Sequence, residues 1–208
     1  MDIWTEIAVA AVLAWASGIR LYAAVFVFGL LQRFGYVSLP GDLALLSHDW
    51  VLYASGGMLV GEFLADKIPA FDSGWDALHT FIRIPGGAAL AYAALADYGP
   101  EAQLAAALIG GSITTGTHLG KSGLRAAINH SPEPFSNWFA SFSEDGLVLA
   151  GLWLAWQHPW IFVALLLIFM LIVIWLLPKL WRLLRESLRA LRRLLSRLSG
   201  AGSKEAPG

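Results

Sequence analysis

The sequence predicts an all-α, polytopic transmembrane helix bundle. Three observations carry that prediction. Of 208 residues, 57% are hydrophobic and 14% charged, where a soluble domain carries about 25% charged residues. The apolar residues fall into several long runs, each of a length suited to crossing a bilayer. Many of the 10 tryptophans stand near the ends of those runs, among them Trp4, Trp50, Trp160, Trp175 and Trp181, as amphipathic rings do at membrane–water interfaces.

The pattern predicts five or six spans, at about 6–34, 50–67, 74–98, 102–127, 143–157 and 159–178. The first run is too long for one straight crossing, since a hydrocarbon core of about 30 Å takes about 20 helical residues; a break is expected at Ala16-Ser17-Gly18. Its flanks are acidic (Asp2, Glu6), so it does not read as a cleaved signal peptide. The third run contains Ile84-Pro85-Gly86-Gly87, where a kink is expected. The fifth is short and ends at His158-Pro159. The sixth, "WIFVALLLIFMLIVIWLLP", bears no polar side chain beyond indole nitrogens and reads as lipid-facing.

Residues 1–178 therefore read as a transmembrane helical domain and 179–199 as a basic amphipathic helix, followed by a disordered tail at 200–208. Leu180, Leu184, Leu188, Leu191, Leu195 and Leu198 recur every three or four residues, with Arg182, Arg185, Arg189 and Arg193 on another face. Up to Pro178 there are 6 basic against 13 acidic residues, and from Lys179 onward 8 against 2. Such a helix suits anionic lipid headgroups on the cytoplasmic leaflet. A basic coiled-coil partner helix is the alternative.

The stretch "GTHLGKSG" (116–123) ends like a phosphate-binding loop, but Thr115 stands where the first glycine belongs and no strand precedes it. Gly116 and Gly120 instead have the spacing that lets helices approach closely. A chain break at Gly120–Gly123 would expose amides suited to a phosphate or carboxylate.

Charges inside a bilayer are costly, so they face the bundle interior and pair. The candidates are Arg20; Glu62 and Asp66, one turn apart; Asp72, Asp76, His79, Thr80 and Arg83 on one stripe; and His118, Lys121 and Arg125 on another. Asn129, Asn137, Ser141, Ser143, Glu144 and Asp145 follow. Arg20, Lys121, Arg125, His118 and Arg83 are the candidate substrate-binding residues. Glu62, Asp66, Asp76, His79, Glu144 and Asp145 are the candidates for ion coupling. Ser122 near His118 lacks a third group that would make it a nucleophile, and no enzyme is expected. Without cysteine there is no thiolate site. Asp76, His79, Glu62 and His118 offer metal-compatible donors but no two-histidine motif, and neither a metal nor a cofactor is expected. Ser17-Gly18-Ile19-Arg20 resembles Ser122-Gly123-Leu124-Arg125, and three spans separate them, which would make the halves an inverted repeat.

The segments "ASGIRLYAAVFVFGLLQRFG", "EFLADKIPAFDSGWDALHTFIRIPGGAAL" and "THLGKSGLRAAINHSPEPFSNWFASFSEDGLVLAGLWLAWQHPW" closely resemble the bacterial membrane family known as domain-of-unknown-function family 4126, over roughly residues 8–178. The Asp-Lys-Ile-Pro and Ser-Glu-Asp blocks are the specific ones. The resemblance implies a multi-pass inner-membrane protein and no particular activity. A weaker similarity, an apolar run broken at "ASG" and resumed at Arg20, links the chain by analogy to polyprenyl-phosphate carriers and phosphatases.

The leading functional expectation is a transporter or carrier for an anionic substrate, a lipid phosphate among the options. The alternative is a non-transporting scaffold whose charges only pair. A polar chamber lined by Arg20 and Arg125 would favour the first, and a dry interior with one-to-one ion pairs the second. The expected partners are the bilayer and anionic headgroups, with no nucleic acid. A homo-oligomer remains open, and the C-terminus is expected to be cytoplasmic.

Overall fold

The computed structural model describes residues 3–65, 69–128 and 134–201. It contains six α-helices: α1 (Ile3–Arg33), α2 (Asp49–Ala65), α3 (Pro69–Ala94), α4 (Pro100–Ile128), α5 (Pro134–Gln157) and α6 (Pro159–Ala201). Short 3-10 turns occupy Gly41–Ser47 and Ala96–Tyr98, and no strand occurs among the described residues. α4 and α6 start on a proline, which costs nothing in the first turn because its missing N–H has no helical acceptor there. α1 stops at Gly35, whose φ of 74° suits a residue without a Cβ. Tyr36 N–H then reaches the Leu31 carbonyl at 2.9 Å and Gly35 N–H that of Gln32 at 3.1 Å, closing the last turn.

α1 is the axis of the bundle. It packs against all five other helices, and almost every residue from Ala8 to Leu21 is buried. Polarity is inverted relative to a water-soluble domain. Arg20, Glu62, Arg83, His118 and Arg125 are buried, whereas Trp50, Phe81, Leu108, Leu167 and Leu171 are exposed. Apolar surface outside and charge inside is the arrangement a bilayer selects. α1 and the Pro159–Lys179 part of α6 are long and apolar enough to cross a membrane. A third crossing results if the 41–47 turn and α2, bent by 71°, form one broken span. Hydropathy thus passes fewer helices than the five or six expected, because α3, α4 and α5 are diluted by the buried polar stripes and by small residues.

Several boundaries differ from expectation. The break in α1 falls at Arg20 (φ −146°, ψ 72°) rather than at residues 16–18. Ser17 remains helical, its hydroxyl donating to the Leu13 carbonyl at 2.6 Å. α3 runs unbroken through Pro85, and its glycines serve close packing instead. A Cβ on Gly87 would collide with Thr114 of α4, and one on Gly18 would lie 2.7 Å from both the Thr114 carbonyl oxygen and Thr117 Cβ. α4 is likewise continuous through 116–123, so no amide-lined break forms there; Gly116 and Gly120 face Met170 and Val173 of α6. α5 begins at Pro134, nine residues before the expected 143. α6 passes through Pro178 without ending. Of the expected disordered tail, residues 202–208 lie outside the described residues.

Candidate functional site

The break in α1 places Arg20 where its side chain meets α2 and α5. Its Nε lies 2.9 Å from Asp145 Oδ1, and its Nη2 is 2.8 Å from Ser141 Oγ and 3.6 Å from Glu144 Oε2. Its Nη1 is 4.0 Å from Glu62 Oε1. Glu62 in turn contacts Arg83 Nη2 directly. Arg20, Glu62 and Arg83 have side chains that are 0% exposed. Two arginines from α1 and α3 therefore share one carboxylate of α2.

Glu144 is the second shared carboxylate. Arg125 grips it with two parallel bonds, Nε to Oε1 at 2.8 Å and Nη2 to Oε2 at 3.0 Å, the fork geometry that makes arginine–carboxylate pairs strong. Lys121 Nζ stands 3.4 Å from Oε2 and donates to the Ile19 carbonyl at 3.1 Å. That carbonyl adjoins the α1 break, so Lys121 couples the discontinuity to the charge network. Glu144 thus serves Arg20, Lys121 and Arg125 together. The acids of α5 are the network's outer members: Glu144 is 12% and Asp145 31% exposed, against 0–3% for the cations they face.

The two histidines hold opposite protons. His118 Nδ1 lies 3.4 Å from Arg83 Nη1, and a guanidinium only donates, so Nδ1 must accept. The ring proton is then on Nε2, which donates to Thr80 Oγ1 at 2.7 Å. His79 Nδ1 lies 2.8 Å from the Trp75 carbonyl and must donate, with Nε2 as the ring's other nitrogen. That nitrogen and Glu62 Oε2 are buried with no hydrogen-bond partner among the described residues. The His79 ring stacks on Trp75 at 4.2 Å and meets the Tyr22 ring edge-on at 5.7 Å.

The candidates Arg20, Glu62, Arg83, His118, Lys121, Arg125, Glu144 and Asp145 are thus brought into one connected cluster. His79 is one helical turn from Arg83 but is not bonded to it in the described contacts. Asp66 lies outside the described residues, as does the side chain of Asp76. Among the described residues no group of three or more potential ligands could hold a metal ion, so Glu62, His79 and His118 do not assemble as one. Trp75, Tyr22 and the Ile19 carbonyl were not anticipated. Trp75 stands four residues before His79, a spacing that signals contact on a helix; nothing in the sequence marks the carbonyl.

Three clefts flank the bundle, of about 370, 240 and 400 Å³. Asp145 is the one charged residue among their linings, and none of the three is a polar chamber lined by both Arg20 and Arg125. The two expected discriminators therefore split. No such chamber is found among these clefts, while the ion pairs are shared rather than one-to-one. The two arginines of the suspected repeat also differ in backbone, Arg20 at a break and Arg125 within a continuous helix.

No curated protein and no solved structure matches the chain. A family model matches residues 7–179, which include every side chain of this network, and the chain belongs to that family, described as a domain of unknown function, DUF4126.

Proposed function

We propose that this membrane protein is a carrier for an anionic substrate, seated where α1 breaks at Arg20. The observation that carries the reading is the sharing of Glu144 by Arg20, Lys121 and Arg125. Three cations around one carboxylate form an anion site whose present occupant is a side chain. A substrate anion competes with Glu144 for the same donors, and the displaced carboxylate takes up a proton. Broken helices at a binding site are a recurrent device of transporters. The inverted repeat would supply the alternating halves. In the full reading the protein sits in a bacterial inner membrane with its C-terminus cytoplasmic and its basic helix on the anionic leaflet. The test is flux of phosphate, sulfate and a lipid phosphate in reconstituted vesicles. Lys121→Gln and Arg125→Gln abolish flux of the substrate while the protein stays inserted; wild-type flux in both variants would end the proposal.

The second reading, a scaffold whose charges fix helix register, is favoured by the 0% exposure of Arg20, Glu62 and Arg83. It predicts that the same variants lose thermal stability and change no flux.

A further inference from the structure

The buried network meets a lateral cleft at Asp145. The cleft of about 400 Å³ lies between α1, α2 and α5 and is lined by Val27, Val60, Phe63 and Leu149, with Asp145 as its charged member. Asp145 is 31% exposed, and its Oδ1 is 2.9 Å from Arg20 Nε, whose side chain is 0% exposed. An apolar trough thus leads to a carboxylate that caps a buried cation. Behind Arg20 stand Glu144, which is shared with Lys121 and Arg125, and Glu62, whose Oε2 has no hydrogen-bond partner among the described residues.

We infer that this cleft receives the hydrocarbon chain of a membrane lipid whose anionic, phosphate-bearing headgroup replaces Asp145 against Arg20. The inference rests on the anion-carrier reading and names its substrate class. Charge complementarity selects the headgroup: behind Asp145 the four cations Arg20, Arg83, Lys121 and Arg125 outnumber the two acids Glu62 and Glu144. The phosphate oxygens would take the cations' N–H bonds, and the hydroxyl of a monoprotonated phosphate has an acceptor in Glu62 Oε2. The lining selects the chain. A small inorganic anion makes no use of Val27, Val60 and Leu149, whereas a lipid tail entering sideways keeps them covered while its headgroup crosses to Arg20. The volume suits a segment of one chain, with the remainder of the lipid left in the bilayer.

The experiment is titration of the full-length protein in a neutral maltoside detergent, read by native mass spectrometry and by thermal shift. The probes are dioleoyl phosphatidic acid, dioleoyl phosphatidylcholine, inorganic phosphate and a dioleoyl trimethylammonium lipid. Phosphatidic acid binds and stabilises; the other three do not at equal concentration. Val60→Trp, which fills the cleft without touching the ion pairs, weakens phosphatidic acid about tenfold or more and leaves the melting temperature of the unliganded protein unchanged. Asp145→Asn removes the competing charge and tightens it about tenfold, an outcome that a purely structural Asp145 would not give. Equal binding of inorganic phosphate, or indifference to Val60→Trp, overturns the lipid inference and leaves the anion carrier standing. Preference for the trimethylammonium lipid overturns the inference in favour of a cationic headgroup. If none of the anionic probes binds, the carrier reading falls with it.

Discussion

Replacing Glu144 by Gln separates the carrier from the scaffold most cleanly. The substitution keeps the size of the side chain and removes its charge. Arg125 then keeps one bond, to the amide oxygen, in place of the two to the carboxylate at 2.8 and 3.0 Å, and Lys121 and Arg20 lose the anion 3.4 and 3.6 Å away. Breaking a buried pair from one side costs about 3–5 kcal/mol, because the remaining charge stays desolvated. Three cations share this loss, so the upper half of that range is expected. For a chain of this size about 1 kcal/mol shifts the melting temperature by roughly 2–4 °C, which places the drop at about 8–20 °C. An anion site emptied of its internal carboxylate should accept an external one. At a concentration about 100 times its dissociation constant a ligand restores about 2.7 kcal/mol, or roughly 5–11 °C. The assay is a thermal melt of wild-type and Glu144→Gln protein in detergent, with phosphate or sulfate titrated against a constant ionic strength. A variant as stable as the wild type would refute the energetic role of Glu144. A destabilised variant that no anion restores would refute the claim that the three cations form an anion site.

Gly18→Val places a methyl-bearing branch against the α4 backbone, 2.7 Å from the Thr114 carbonyl, and should cost about 1–3 kcal/mol or more; a melt indistinguishable from wild type would show that α1 and α4 can separate at no expense. Nitrogen-15 spectra of histidine-labelled protein, assigned among the five histidines by His79→Gln and His118→Gln, should show Nδ1 of His79 carrying a proton and Nδ1 of His118 without one; protonated Nδ1 in both would contradict the bonding to Arg83 and Trp75. Replacing Arg185, Arg189, Arg192 and Arg193 by Gln should remove about 1 kcal/mol per residue of attraction to an anionic surface. A 179–199 peptide that partitions equally into neutral and anionic vesicles would exclude that attraction.

The interior charges were legible because charge is rare in such a chain. Arg20, Glu62, Arg83, Lys121, Arg125 and Glu144 stand out against apolar neighbours, and burial cost alone requires them to converge. Spacing of three and four residues assigned His118, Lys121 and Arg125 to one face, and all three meet partners from that face. The position of the α1 break was less legible. Ala16-Ser17-Gly18 looks like a weak point by propensity, but Gly18 is needed for contact with α4, and the backbone departs from helical angles two residues later. Pro85 misled for a related reason. A helix held on both sides can keep its course past a proline, and the small Gly86 and Gly87 give α1 and α4 room beside it. The sharing of Glu144 by three cations was beyond the sequence, since it depends on how α1, α4 and α5 are set against one another.

The distance along the chain between Arg20 and its α5 partners bears on how the protein is made. Ser141, which accepts from Arg20, lies 121 residues downstream, and Glu144 and Asp145 follow it. α1 leaves the ribosome before α5, carrying an arginine that insertion scales penalise by about 2.5–3.5 kcal/mol, and until α5 is made the carboxylate available to it is Glu62 of α2, 4.0 Å away in the finished fold. Arg20 therefore reaches its full set of partners only once α5 arrives. A chain cut short before Pro134 would leave Arg20 without those partners, a defect that membrane quality control could recognise in the unfinished protein.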